Sequence, residues 1–206
     1  MKENSILLST AYLPPISYFY YINNYENIFI ETQEHYQKQS IRNHTIILGS
    51  QGYQKIIIPV KRKSYSKKII TELEISSELW KKKHIQAIQT NYGNSPFFIH
   101  YFNDICEIIL RKRKFLFDLN QDLLSFFLNE LDIKKEIRKT TNYQSSLSDN
   151  FIDFRNFEYK QTINLKYNQT FIEKGEINNN ISIIDLLFNL GNDSKNFISK
   201  LNFEKT

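Results

Sequence analysis

The chain has 206 residues, of which 41% are hydrophobic, 15% aromatic and 24% charged. This composition excludes a disordered, collagen-like or coiled-coil protein and favours a single globular domain over residues 1–206. The net charge of +5, from 27 Lys and Arg against 22 Asp and Glu, suits an anionic ligand but does not require one.

Three short basic runs carry much of the positive charge. A solvated surface is the usual explanation of such runs, and contact with an anion is the alternative. The runs are residues 61–63 with Lys67 and Lys68, residues 81–83, and residues 111–114.

The single cysteine and the N-terminal residues indicate the compartment. Cys106 excludes a disulfide framework, and the sequence has no Cys and His spacing typical of a zinc site. The apolar run at residues 6–8 is too short for a signal peptide, and no stretch approaches the ~18 apolar residues of a membrane span. We therefore predict a cytoplasmic protein without a membrane span.

The first third of the chain is predicted to be rich in strands. In chain order, the apolar pattern predicts a strand at 6–9, a helix at 18–22, and strands at 28–30, 45–48, 55–60 and 73–75. Gly49 and Gly52 lie between the third and the fourth of these strands, which is typical of a hairpin.

A helical layer is predicted to follow. Apolar residues at helical spacing predict helices at 77–92, from residue 95 to 109, and at 116–131. Residues 132–181 are patterned more weakly, and then Ser182 opens a short apolar helix that Gly191 ends. The predicted fold class is α/β, with mixed α+β as the alternative, and consists of a strand-rich N-terminal third, a helical layer and a short C-terminal helix.

The densest polar cluster lies at residues 31–43, directly after the predicted second strand. Strand ends in α/β sheets commonly hold ligands. In a helical turn, His35, Lys38, Gln39 and Arg42 would share one face, with a group that titrates near neutrality beside two cations and an amide. Such a set can bind a phosphate or carboxylate and move a proton, and an exposed polar linker is the alternative.

Four other polar residues have both a structural and a functional interpretation. His84 lies on or beside the apolar face of its helix, where core packing competes with an active-site role. Asp185 follows the Ser cap by three residues, which favours a capping box over catalysis. Asp153 and Arg155 suit a structural ion pair as well as a substrate clamp.

Common nucleotide-binding and hydrolase motifs are absent from the sequence. It contains no GxxxxGK[ST] phosphate loop, no GxGxxG, no GxSxG and no HExxH. Proteins that use these nucleotide-binding and hydrolase motifs are therefore disfavoured.

Several blocks along nearly the whole chain resemble the WbqC-like family. The blocks are residues 8–18, 30–43, 58–61, Trp80 with His84 and Ile88, Tyr92 with residues 95–98, 167–171 and 180–191. The resemblance implies a bacterial protein associated with surface-polysaccharide and lipopolysaccharide biosynthesis. It implies no particular activity.

We therefore predict a transferase-type enzyme that acts on an activated sugar or a similar anionic small molecule, such as a sugar nucleotide. The predicted general base is His35 or His84. The predicted substrate-binding residues are Tyr12, Lys38, Gln39, Arg42, Asn43, Lys61, Asp153, Arg155 and Gln169, and no metal ligand is predicted.

A non-catalytic scaffold and an RNA-binding module are the alternative functions. Basic runs interleaved with Tyr and Phe favour RNA, but the sequence has no recognisable RNA-binding motif, so nucleic acid is the weaker expectation. Neither a cofactor nor the oligomeric state follows from the sequence.

Overall fold

Strands and helices alternate along the part of the chain that the structure describes. The structure is a computed structural model, which describes residues 5–61, 68–143, 151–156, 166–170 and 181–201. The strands are β1 (Ser5–Leu8), β2 (Asn27–Ile30), β3 (His44–Gly49), β4 (Gly52–Ile57), β5 (Ile137–Lys139) and β6 (Phe151–Phe154). The helices are α1 (Ile16–Asn24), α2 (Leu79–Tyr92), α3 (Phe98–Leu110), α4 (Leu116–Glu130), α5 (Ile183–Leu190) and α6 (Ser194–Lys200).

The main sheet contains four of the described strands in the order β5-β2-β1-β6, and each neighbouring pair is parallel. Strands β2 and β5 extend the sheet to one side of β1, and β6 returns to its other side. The winding of the chain therefore reverses between β1 and β6. In open α/β sheets, ligands bind beside such a switch point, at the carboxyl ends of the strands.

The two faces of this sheet differ in burial, because alternate residues of each strand point to opposite faces. The face opposite the main core carries Leu7, Phe29 and Phe151. The phenyl rings of Phe29 and Phe151 lie 5.3 Å apart, and both side chains are only partly buried. The face on the main core carries fully buried side chains, namely Ile6, Leu8, Ile28 and Ile30.

Helix α5 lies within the core, which explains why its sequence is apolar on nearly all sides. The Oγ of Ser182 accepts a hydrogen bond from the N–H of Ile184 at 3.4 Å, so Ser182 caps the helix as predicted. Gly191 follows the helix with φ +55°, a left-handed conformation that glycine adopts without strain. A Cβ at Gly191 would also lie 2.6 Å from the ring of Phe97.

The α/β class and the order of most elements are confirmed. The predicted strand at 73–75 is wrong in detail, because the chain forms a 3₁₀ turn at Ile70–Glu72 and then isolated bridges to Val60 and Phe115. Strands β5 and β6 and helix α6 were not predicted. Each of the two strands has only three or four residues and includes charged ones, so periodicity gives little signal.

The segment at 31–43 is extended and turn-like rather than helical, which corrects the shared helix face expected there. Its backbone pairs with distant segments: the Glu34 carbonyl accepts the Ile70 N–H at 2.8 Å, and the Ile41 carbonyl accepts the Tyr12 N–H at 2.9 Å. Gln39 has φ +54°, which interrupts any helical turn. The four residues therefore separate: Arg42 is buried, whereas His35, Lys38 and Gln39 are exposed.

Within the described ranges, none of the helices has both the length and the apolar character that crossing a bilayer requires.

Candidate functional site

Polar residues follow each strand of the main sheet at its carboxyl end. Ser9, Glu31, Thr140 and Arg155 come directly after β1, β2, β5 and β6, respectively. Because the strands are parallel, these four residues meet along one edge of the sheet, which we call the carboxyl edge. The Ser9 hydroxyl is buried there and has no hydrogen-bond partner in the described part of the chain.

Arg155 is held by two carboxylates and one aromatic ring. Its Nη1 donates to Glu31 Oε2 at 3.1 Å, and its Nε donates to Asp153 Oδ1 at 2.9 Å. The guanidinium carbon lies 4.9 Å from the ring centre of Tyr143. The hydrogen bonds that Arg155 donates to Asp153 raise the Arg155 pKa above its ordinary value, so the guanidinium stays charged.

Glu31 joins the ends of three strands. Its Oε1 accepts from the Thr140 hydroxyl at 2.6 Å and from the Gln33 N–H at 2.9 Å, while its Oε2 accepts from Arg155. Thr32 adds two bonds to Thr140, with its N–H 3.0 Å from the threonine Oγ1 and its own hydroxyl 2.6 Å from the carbonyl. These hydrogen bonds fix Glu31, Thr140 and Arg155 relative to one another.

Behind this edge lies a second, fully buried ion pair. Arg42 donates through Nε to Glu34 Oε1 at 2.7 Å and through Nη2 to Glu34 Oε2, which is a bidentate pair. The same Nη2 also donates to the Arg155 carbonyl at 3.0 Å. Arg42 therefore connects the chain after β2 to the chain after β6, and it acts on the site by positioning Glu34 and Arg155.

The network of ion pairs has more negative than positive groups. It contains the carboxylates of Glu31, Glu34 and Asp153 against the guanidiniums of Arg42 and Arg155. Burial raises the pKa of Glu34, and its hydrogen bond from Arg42 opposes that rise. Because both guanidiniums are already paired with carboxylates, this network attracts an anion less strongly than two unpaired guanidiniums would.

Two cavities open beside this network. The larger, which we call the edge cleft, measures about 320 Å³ and is lined by Gln33, Glu34, His35, Tyr36, Gln37, Tyr143, Arg155 and Asn156. The smaller, which we call the sheet cavity, measures about 200 Å³ and is lined by Leu7, Phe29, Glu31, Lys139, Thr140, Thr141, Asn142 and Phe151. Ligand pockets of this kind are concave and combine aromatic walls with a few fixed polar groups.

His35 is the histidine that lines the edge cleft. Its Nδ1 lies 3.4 Å from the Lys68 carbonyl oxygen, which can only accept a hydrogen bond. A proton on Nδ1 would satisfy this contact and would leave the lone pair on Nε2. An imidazole in this tautomer can take a proton from a bound ligand through Nε2.

The other predicted catalytic histidine, His84, lies in the interior and lines neither cavity. The Tyr12 hydroxyl lies 3.0 Å from its Nδ1, and the His84 ring also hydrogen-bonds to the Ile57 backbone. Trp80 packs edge-on against it at 4.9 Å. Burial lowers the pKa of His84 to about 4, so the ring is neutral near pH 7. Tyr12 and His84 thus form a buried pair of core residues.

Four further predicted substrate contacts do not line the edge cleft. Asn43 is buried and donates to the Ile58 carbonyl at 2.9 Å. Lys61 forms a surface ion pair with Glu74 at 2.7 Å. Lys38 and Gln39 are exposed on the turn that precedes Arg42.

Gln169 belongs to a buried cluster around Asp185. The Asp185 carboxylate accepts from Tyr92 at 2.9 Å, from Tyr167 at 2.5 Å and from the Gln169 amide at 2.6 Å. Because the Asp185 carboxylate accepts these three bonds, it does not form the capping box expected at the start of α5. Burial raises the Asp185 pKa although all three donors oppose the rise.

The structure therefore brings together His35, Arg155, Asp153 and, behind them, Arg42. The predicted site lacked several lining or supporting residues, and Ser9, Thr140, Tyr143 and Asn156 are four of them. Each of them comes at or soon after the end of a parallel strand, so recognising β5 and β6 would have identified three of the four.

Several of the described residues in the basic runs have partners within the chain. Lys81 donates to the carbonyls of Leu110 and Arg111, and Arg113 pairs with Asp122, so part of the basic surface is bound within the chain. Arg62, Lys63 and Lys67 lie outside the described residues. In the described ranges, no three His, Cys, Asp or Glu side chains are arranged to hold a metal ion.

Comparison with known proteins gives a family. The chain is 30% identical over 145 residues to the "Uncharacterized protein Rv1507c" of Mycobacterium tuberculosis, a match that covers 70% of this chain and 62% of the relative. The chain thus spans less than two thirds of the length of that relative. No solved structure matches the chain. The model of the WbqC-like protein family matches residues 10–154, and the chain belongs to that family.

Proposed function

We propose that the chain is a transferase-type enzyme that acts on an activated sugar in surface-polysaccharide or lipopolysaccharide biosynthesis. The observation that carries this proposal is the edge cleft, which lies at the carboxyl edge beside the switch point of a parallel sheet and contains His35 and Arg155. The place in polysaccharide synthesis is what the resemblance to the family implies.

The lining of the edge cleft supports a sugar more than a free phosphate. It offers amides from Gln33, Gln37 and Asn156, together with the rings of Tyr36 and Tyr143. Amides can both donate to and accept from hydroxyl groups, and an aromatic ring can pack against the apolar face of a pyranose. Arg155 is already paired with Glu31 and Asp153, which weakens the attraction of a bare phosphate.

His35 is the proposed general base for the transfer. A hydroxyl or amine of the bound sugar loses its proton to Nε2 of His35, and its oxygen or nitrogen forms a bond to the incoming group. The bond between that group and its leaving group breaks, and the leaving group departs with the bonding electron pair. The co-reactant is an activated acyl or glycosyl donor. General bases of this kind contribute typically 10²–10⁴-fold to a rate.

Ligand-dependent thermal stability of the purified chain tests the proposal. The ligands are UDP-glucose, dTDP-glucose, GDP-mannose and glucose 1-phosphate, with acetyl-CoA and a short RNA as comparisons. A sugar-bearing ligand at 100 times its Kd should add about 2.7 kcal/mol to the free energy of unfolding. The His35→Gln variant should bind that ligand with nearly unchanged affinity and lose transfer activity, and His100→Gln on the exposed side of α3 is the matched control.

Two results would contradict the proposal. Stabilisation by RNA alone, weakening steeply as salt is added, would indicate the nucleic-acid function instead. The absence of a shift with every small molecule would favour a scaffold.

A further inference from the structure

We propose that the sheet cavity is a second subsite that takes the planar nucleobase of a sugar nucleotide. This inference rests on the proposed function, because it places the sugar of the same molecule in the edge cleft. It also specifies the chemical form of the substrate. The edge cleft alone is compatible with a sugar phosphate and with a sugar nucleotide, and the second subsite favours the sugar nucleotide.

The two cavities are neighbours with a shared wall. Glu31 lines the sheet cavity and Arg155 lines the edge cleft, and their side chains are joined at 3.1 Å. The consecutive residues Asn142 and Tyr143 likewise line one cavity each. A molecule long enough to cross the contact between Glu31 and Arg155 would reach both cavities.

The floor of the sheet cavity is suited to a flat ring. The rings of Phe29 and Phe151 lie 5.3 Å apart with 49° between their planes, and both side chains are partly exposed. They belong to the sheet face opposite the main core, next to the buried Leu7. Partly exposed phenyl rings offer stacking surface to a heterocycle, and such stacking contributes about 1–3 kcal/mol per base.

The rim of the sheet cavity favours a heterocycle over a purely apolar group. Thr141 and Asn142 are exposed at the rim, and Thr140 and Glu31 close it on the side of the carboxyl edge. The Asn142 amide can donate and accept at once, which matches the alternating donors and acceptors of a base edge. An acyl chain would cover the exposed Thr141 and Asn142 side chains without offering them hydrogen bonds, which carries a free-energy cost.

Paired titrations separate the contributions of the two cavities. The ligands are UDP-glucose, GDP-mannose, glucose 1-phosphate and the free nucleosides uridine and guanosine. We expect Phe29→Leu to weaken UDP-glucose or GDP-mannose binding about tenfold and to leave glucose 1-phosphate binding unchanged. Phe126→Leu, at a partly buried phenylalanine of α4 that lines neither cavity, is the matched control and should leave both affinities unchanged.

A second variant covers the case in which Phe29→Leu does not fold. Asn142→Ala changes an exposed rim residue and should weaken the sugar nucleotide about threefold or more without changing Tm. Full-affinity binding of the sugar nucleotide by both variants, or competition by an acyl chain but not by a nucleoside, would overturn the subsite.

The outcomes also distinguish this inference from the proposed function. If glucose 1-phosphate binds while nucleosides do not and Phe29→Leu has no effect, the subsite is wrong and the sugar function stands. If nucleosides bind in a Phe29-dependent way while the sugar contributes nothing to affinity, the subsite stands and the sugar function is wrong.

Discussion

The carboxyl edge and the interior of this protein both contain buried titratable groups, but the groups are satisfied in different ways. At the edge, Glu34 and Glu31 are paired with the guanidiniums of Arg42 and Arg155 beside two cavities. In the interior, the Asp185 carboxylate accepts hydrogen bonds from two tyrosines and an amide, and none of these donors in the described part of the chain is a cation.

This difference distinguishes groups that can take part in ligand binding from groups that stabilise the fold. Ion pairs beside a cavity fix side chains that a ligand can reach, whereas neutral donors around an enclosed carboxylate satisfy a polar group within the core. His35 and His84 repeat the contrast: His35 is exposed in the edge cleft, and His84 is buried against Tyr12 and Trp80. Changes to the exposed side chains of the edge should alter ligand binding, changes around Asp185 and His84 should alter stability alone, and changes to the buried pair of Arg42 and Glu34 should also alter stability.

The largest expected effect on stability is at the buried pair behind the edge. Arg42→Met leaves the Glu34 carboxylate buried without its cation, so we expect a loss of about 3–5 kcal/mol in urea unfolding. The double variant Arg42→Met with Glu34→Leu removes both charges and should recover most of that loss. A double variant as unstable as the single one would show that the loss does not come from the stranded carboxylate.

The interior histidine should give the next largest effect, as a dependence of stability on pH. Burial lowers the pKa of His84 to about 4, from an unfolded value near 6.5. The stability due to its neutral form is complete above about pH 6.5 and is lost as the pH falls towards 4, by about 3 kcal/mol. His84→Gln should remove one proton from the measured slope.

His44 provides an internal check on that measurement. Burial lowers its pKa to about 4 as well, so the native protein should take up nearly two protons on unfolding in this range. A slope that is unchanged in His84→Gln would contradict the buried neutral state of His84.

Asp185→Asn should destabilise the protein by about 2–3 kcal/mol while leaving ligand affinity unchanged in the folded fraction. The amide has a single acceptor oxygen for three donors, and its NH₂ group would face hydroxyl and amide hydrogens. Urea unfolding and calorimetric titration measure the two quantities separately. Asp193→Asn, at the exposed start of α6, is the matched control, and a loss of affinity in Asp185→Asn would remove the contrast between the two regions.

The smallest effect is expected at the surface pair of Lys61 and Glu74. The Lys61 side chain is 52% exposed, so water screens the pair and Lys61→Ala should leave Tm unchanged within error. The same variant tests the predicted substrate contact at Lys61, because a loss of affinity without a change in Tm would place the ligand across this surface.

The sequence was sufficient to predict those elements whose pattern is local. The hairpin at β3 and β4, the cap at Ser182 and the helix end at Gly191 depend on turn and capping residues that act over a few positions. The polar cluster after β2 was likewise visible, because Glu31, His35 and Arg42 are close in sequence. Its helical arrangement was wrong, since pairing with distant segments determines that backbone.

The rest of the site depends on contacts between distant parts of the chain. Arg155 is 124 residues from Glu31, and Thr140 is 109 residues away, so no short motif contains them. Strands β5 and β6 were too short and too polar for periodicity to reveal them. His84 shows the converse, because a histidine on a helix face looks the same in sequence whether it lines a cavity or packs in the core.

Backbone amide chemical-shift mapping tests the central claim that the carboxyl edge is the ligand site. The measurement is a titration of the labelled protein with the sugar nucleotide that stabilises it most. We expect shifts at residues 31–37, 140–143 and 155–156, and none around Asp185 or His84. Shifts concentrated at the hairpin, or at the basic surface near Lys82 and Lys112, would contradict it.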